Sequence, residues 1–166
     1  MAPATLINLN EYMRTSYWPD CEYIDGLVVE RNVGSGKHAY TQSKLVMQLT
    51  DQTAGKKLLV LPALRTQVSP TRVRIPDICV VEELKEVVTK APLMCVEVFS
   101  PEDRWNRVIA SVCDYQTMGV RCVWVIDPYL VRAWTFESEN PPHEVQDGIL
   151  KDQELAVEIR LSEVVP

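Results

Sequence analysis

Between Arg74 and Pro101 two short apolar runs, residues 75–81 (IPDICVV) and 93–99 (LMCVEVF), each hold a carboxylate where a hydrophobe is expected. Asp77 follows Pro76 directly, and Glu97 lies inside CVEVFS. Runs of this length, rich in Val, Ile and Cys and bounded by proline, read as strands buried on both faces. An ionised carboxylate in such a strand is costly unless a cation or a metal compensates it. Two accounts are open on the residues alone. Asp77 caps a turn and Glu97 pairs with an arginine, or the strands lie side by side and the acids share a divalent ion. Oxygen ligands alone favour Mg²⁺, Mn²⁺ or Ca²⁺ over zinc.

In chain order, residues 6–18 place Leu6, Leu9, Tyr12, Met13 and Tyr17 at helical spacing, with Asn8 as cap and Pro19 as stop. Residues 21–31 carry a hairpin signal around Asp25-Gly26. The VGSGK stretch at 33–37 lacks the spacing of a phosphate loop and follows a hairpin, so it reads as a turn into a helix over 38–53. Residues 57–68 and 72–81 are two β-type runs joined at Ser69-Pro70-Thr71, and 82–92 is a charged connection with room for a helical turn. Residues 101–118 predict a helix with Trp105, Val108, Ile109, Val112 and Tyr115 on its apolar side and Gly119 as its stop. A strand follows at 121–127, and 130–136 pairs with it. The strand–helix–strand order over 93–126 predicts a right-handed crossover. Residues 137–144 form a loop, Asp147-Gly148 a turn, 155–159 a last strand and 161–165 a terminal turn. The sum is one α/β domain over residues 1–166, a mixed β-sheet flanked by helices.

Composition bounds the function. A chain of 166 residues is the size of one ordinary domain. The net charge of −6 counts against gripping nucleic acid through an overall positive field. A local basic rim stays open: Arg65, Arg72 and Arg74 precede Asp77, while Arg104 and Arg107 follow Glu97. The same arginines could equally be solvated on strand ends. No run reaches the length of a membrane span, and residues 1–10 lack the basic start and apolar stretch of a signal peptide, so a cytoplasmic location is expected. The five cysteines are scattered, four of them in apolar runs, and read as reduced core residues without zinc spacing.

The motifs CEYIDGLVVERN (21–32), RVRIPDICVV (72–81), VEVFSPEDR (96–104) and DYQTMGVRCVWVIDP (114–128), in this order, resemble the Uma family, a group of small restriction-endonuclease-like proteins mostly from bacteria. Pro76-Asp77, Glu97 and Ser100-Pro101 resemble the wider PD-(D/E)XK nuclease pattern. The resemblance implies a restriction-endonuclease-like fold in which Asp77 and Glu97, with the backbone carbonyl of Val98, hold Mg²⁺ or Mn²⁺ for phosphodiester hydrolysis. It implies a nucleic-acid substrate, expected to be DNA, and no membrane. In the family an acidic residue stands at the place of Glu30, so Glu30 could reach the metal, though a strand-end glutamate is otherwise simply solvated. The family also tends to have a histidine at His38, which read alone is a surface or packing residue. Many enzymes that cut both strands are dimers, and the exposed β edges near residues 130–136 are where a homodimer contact is expected.

One departure matters. In the superfamily a lysine usually stands two residues after the glutamate, and Phe99 occupies that position here. The Uma family resembles variants in which the lysine has moved to the following helix, four residues before a tyrosine; counting back from Tyr115 lands on Ser111. One helical turn earlier, where the family helix is acidic, stands Arg107, which could bring a positive charge to the same space. Arginine stabilises phosphate charge but does not shuttle protons near neutrality. A weak Arg107-assisted enzyme is therefore one expectation. A catalytically degenerate relative, acting as a nucleic-acid-binding or protein-interaction module, is the other.

Overall fold

The computed structural model describes residues 6–32, 34–138 and 140–166. Val33 of the VGSGK turn, Glu139 of the 137–144 loop and residues 1–5 lie outside them. Asn8 caps helix α1 (Leu9–Arg14), its side chain accepting from the Glu11 amide at 2.9 Å. The helix stops well short of Trp18: Thr15 is already extended, its hydroxyl donates back to the Glu11 carbonyl at 2.7 Å, and a residue before proline disfavours helix. The Asp25-Gly26 turn joins β1 (Cys21–Ile24) to β2 (Leu27–Glu30) as expected. Both turn residues have positive φ, 50° and 94°, which Asp-Gly adopts readily. Helix α2 (Gly36–Gln52) begins earlier than its apolar stripe because Ser35 caps it.

The two β-type runs at 57–68 and 72–81 are each broken. They give β3 (Leu59–Pro62), β4 (Thr66–Ser69), β5 (Arg72–Arg74) and β6 (Ile78–Val81). The inner halves, β4 and β5, pair in one sheet, and the outer halves, β3 and β6, in another. Proline marks both breaks. Pro62 is followed by Ala63 at positive φ, and Pro76, which lacks an N–H, interrupts the ladder just before Asp77. The charged connection after β6 contains no helix; Val88 instead exchanges backbone hydrogen bonds with Arg65 and Gln67 at 2.8 Å each.

Next come β7 (Met94–Val98), α3 (Trp105–Met118), β8 (Cys122–Asp127) and β9 (Arg132–Glu137). Helix α3 starts at Trp105 rather than Pro101, because the Asp103 carboxylate accepts from the Ser100 amide at 2.7 Å and closes a separate turn. Strands β7 and β8 are parallel across α3, as the crossover predicts. Beyond the predicted elements lie β10 (His143–Glu144) and β11 (Ile149–Asp152), the latter in a hairpin with β12 (Val157–Arg160). The final turn is a short helix, α4 (Leu161–Val164).

The six-stranded mixed sheet has the order β10-β9-β8-β7-β6-β3, and a four-stranded antiparallel sheet has the order β2-β1-β5-β4. One face of the larger sheet is covered by α2, α4 and the β11–β12 hairpin through Leu45, Leu49, Ile159 and Val164. The other is covered by α3 through Val108, Val112 and Tyr115. This is an α/β fold with helices on both sides of a mixed sheet. Cys21, Cys79, Cys95 and Cys122 are buried free thiols; Cys113 is exposed.

Three arginines of the expected basic rim are engaged within the fold. Arg65 pairs with Asp20 at 2.5 Å and lies over the Tyr12 ring, and Arg72 bridges Asp25 and Asp114. Arg74, only 3% exposed, bonds Glu22 at 2.9 Å and Asp114 at 2.7 Å. Removing one partner of a buried pair leaves an uncompensated charge. Arg74→Met should cost about 3–5 kcal/mol in urea unfolding, and a loss below about 1 kcal/mol, as for a surface pair, would show that the network is not needed for stability.

Candidate active site

Strands β6 and β7 are antiparallel neighbours with Ile78 opposite Val96. Continuing that register sets Asp77 opposite Glu97, and directly opposed residues share a face. Both side chains therefore project on the α3 side, at the end where β6 emerges from the Pro76 break. The sequence spacing that suggested adjacent strands corresponds to this geometry.

Asp77 is buried and heavily engaged. Arg31, just past β2, donates from Nη2 to Oδ1 at 2.7 Å. The Val98 amide donates to Oδ2 at 2.8 Å, and His38 Nε2 stands 3.1 Å from the same oxygen. The Asp77 carbonyl accepts from Gln42 of α2 at 2.7 Å. His38 is thus buried at the site, not a surface residue; a lone histidine at a helix start gave no sign of its partner.

Glu97 is half-buried and lines the cavity described below, and the Tyr115 hydroxyl donates to its Oε1 at 2.5 Å. Burial pushes its carboxyl well above the ordinary value, and the nearby negative charge of Asp77 pushes it further, against the hydrogen bond from Tyr115. Burial likewise opposes the charge on Arg31, but Asp77, Glu97 and Glu22 outweigh it and hold the guanidinium firmly protonated.

A polar cavity of about 50 Å³ opens over these groups, lined by Glu22, Arg31, Asn32, His38, Ile75, Asp77, Glu97, Val98, Ser100, Asp103, Arg107, Val108 and Ser111. The space suffices for a few waters. Its acids are Glu22, Asp77, Glu97 and Asp103 and its guanidiniums Arg31 and Arg107, a formal excess of two negative charges with His38 left aside. The Arg74–Asp114–Arg72–Asp25 chain behind Glu22 is balanced in itself.

The predicted residues fall into two groups. Asp77, Glu97, Val98, Arg107 and Ser111 all line the cavity. Arg107 is partly exposed, donates to the Glu30 carbonyl at 2.9 Å and lies 3.8 Å from Glu22. Glu30 is not among the lining residues. Opposed residues share a face, so Glu30, paired with Cys21, faces away from Glu22, which pairs with Val29. Glu22, one residue further along β1, is the acid that the hairpin turns inward. Phe99 stacks on Trp105 at 5.5 Å between ring centres and is not among the lining residues. Glu22, Arg31 and Asp103 carry no separate signal in the sequence.

Residues 9–164 match the model of the Uma2 family, described as "Putative restriction endonuclease". The chain belongs to the Uma2 family. It is also similar to the crystal structure of a putative nuclease belonging to DUF820 from Anabaena variabilis, with a TM-score of 0.86 and 19% identity over 95% of this chain and 97% of that one. At that identity the likeness bears on the fold. No curated protein matches the chain. No helix among the described residues is long and apolar enough to cross a membrane.

The Uma2 resemblance implies a divalent cation, and the donor set can be tested against it. Among the described residues no three His, Cys, Asp or Glu side chains form a cage of their own. Mg²⁺ does not require one, since it commonly takes one or two carboxylates and keeps waters or substrate oxygens. Hard oxygen donors on Asp77 and Glu97, the formal excess of negative charge and a Glu97 carboxyl raised by burial and by Asp77 all suit such an ion. The residues fit.

The raised Glu97 carboxyl has a measurable consequence in metal-free protein. The unfolded chain loses this proton near the ordinary 4.5, whereas the folded chain keeps it to higher pH. This stabilising contribution is complete below 4.5 and is lost as pH rises towards the folded value. Glu97→Gln should therefore melt a few degrees above the wild type at pH 8 in chelator, with the difference shrinking towards pH 4. Equal melting temperatures across that range would contradict the raised carboxyl.

Proposed function

We propose that the protein is a metal-dependent endonuclease that hydrolyses phosphodiester bonds of nucleic acid, with DNA as the expected substrate. The observation that carries this reading is the convergence of Asp77 and Glu97 on one face at the ends of paired strands, beneath a cavity rimmed by guanidiniums. Asp77 and Glu97, with the Val98 carbonyl, would hold Mg²⁺ or Mn²⁺. A cation bound there polarises a phosphoryl oxygen and lowers the pKa of the attacking water.

The chain's own residues do the rest. His38 and the Val98 amide fix the Asp77 carboxylate, and the Tyr115 hydroxyl orients Glu97. Arg107, at the partly exposed rim, receives a backbone phosphate. Water adds to phosphorus, the ester P–O bond breaks with its electron pair going to the leaving sugar oxygen, and the proton lost by water is balanced by one taken up there. Neither Ser111 nor Phe99 bears a charge, so neither supplies the positive group of related sites.

Ser111 favours a second reading: a relative that binds nucleic acid and metal without cutting. Calorimetry with Mn²⁺ and a plasmid-nicking assay separate the two. The nuclease reading expects Mn²⁺ binding at millimolar affinity or tighter, lost in Asp77→Ala and Glu97→Ala, and slow nicking that needs both acids. Ser111→Lys should raise nicking by at least about tenfold, because a well-placed charge at the reacting centre is worth about 10²–10³ in rate. No nicking by the wild type with Mg²⁺ or Mn²⁺ leaves the binding module. An unchanged rate in Ser111→Lys would overturn the argument from the missing lysine.

A further inference from the structure

Hydrolysis at this site calls for a positive charge beside the phosphoryl group, and neither Phe99 nor Ser111 supplies one. Arg74 is shared between Glu22 and Asp114, and Arg65 and Arg72 are held by aspartates away from the cavity. Arg107 stands at the rim, its Nη2 on the Glu30 carbonyl and 3.8 Å from Glu22, and among the described residues it pairs with neither Asp77 nor Glu97. Arg31 differs from all of them. Its side chain is largely buried, touches Asp77 through a single nitrogen, and feels Asp77 and Glu97 as its strongest charged neighbours. A guanidinium has five N–H donors, and among the described residues Asp77 is its one hydrogen-bond partner, so donors remain for an incoming phosphate.

We infer that Arg31, contributed by the end of the β1–β2 hairpin, is the catalytic cation of this chain, taking the work that a lysine on β7 or α3 does in related sites. The inference rests on the nuclease reading and adds the residue that carries the developing charge. Phosphate oxygens gain negative charge as water adds, and the free Arg31 donors meet it in a partly buried site, where electrostatic interactions are strong. The same placement makes Arg31 a competitor of the metal. It occupies Asp77 Oδ1 and repels a cation held by the same carboxylate. A purely structural counter-ion would affect folding and metal binding in the same direction; a catalytic one separates rate from metal affinity.

The test compares wild type, Arg31→Met and Arg31→Lys by Mn²⁺ calorimetry, by kcat and KM for nicking, and by thermal melting. Arg31→Met should bind Mn²⁺ several-fold more tightly while kcat falls about 10²-fold or more with KM little changed. Arg31→Lys keeps the charge and needs only the one-point contact, so it should stay within about tenfold of the wild-type kcat. If the wild type nicks DNA and Arg31→Met nicks equally fast, or binds Mn²⁺ more weakly, the assignment to Arg31 falls while the nuclease reading stands. If Arg31→Met melts too early to assay, an Arg31→Lys enzyme as slow as Asp77→Ala overturns the assignment. If the wild type does not nick at all, both fall together.

Discussion

The antiparallel pairing of β6 with β7 brings two acidic side chains onto one face at the end of a buried ladder, and the surroundings compensate that concentration of charge. Asp77 receives a guanidinium, a backbone amide and an imidazole; Glu97 receives a phenol and keeps its proton at raised pH. Each contact is costly to assemble in a low-dielectric setting, and each would be pointless if the acids faced opposite sides. Apolar residues could fill both positions with better packing and no charge to neutralise. Stability alone does not account for the two acids.

The proline breaks are what allow this. A hairpin of uninterrupted strands would leave Asp77 inside one sheet, paired on both sides and closed to solvent. By breaking at Pro62 and Pro76, the chain divides its arms between two sheets and leaves Asp77 at the junction. The smaller sheet then contributes Glu22 and leads into Arg31, while the larger contributes Glu97. The arginines divide in the same way: Arg65, Arg72 and Arg74 hold the smaller sheet together, whereas Arg31 and Arg107 remain at the cavity.

Much of this was legible in the sequence, for identifiable reasons. Asp77 and Glu97 stood out because carboxylates are rare in proline-bounded apolar runs. The Asp25-Gly26 turn and the helix over α3 followed from turn chemistry and a 3.6-residue stripe. The division of the long β runs was hidden, because a strand that changes sheets keeps its alternation. Glu30 was the candidate that the resemblance offered for the metal and Glu22 was overlooked, because a strand's facing depends on its pairing partner, and a shift of one position reverses it. Arg31 and His38 gave no periodic signal at all. Their importance arises from contacts between residues far apart in the chain, such as the 46 positions that separate Arg31 from Asp77.

That separation has a kinetic side. The larger sheet is built mostly from segments near one another in sequence, whereas the Arg31–Asp77 and Asn32–Asp103 contacts close loops of 46 and 71 residues. Long loops close late in folding because their entropy cost precedes their reward. A folding chain that has paired β6 with β7 but not yet docked its N-terminal hairpin carries Asp77 without the Arg31 guanidinium. That pair forms only once the hairpin arrives, so this cavity should be among the last parts of the molecule to reach its native arrangement.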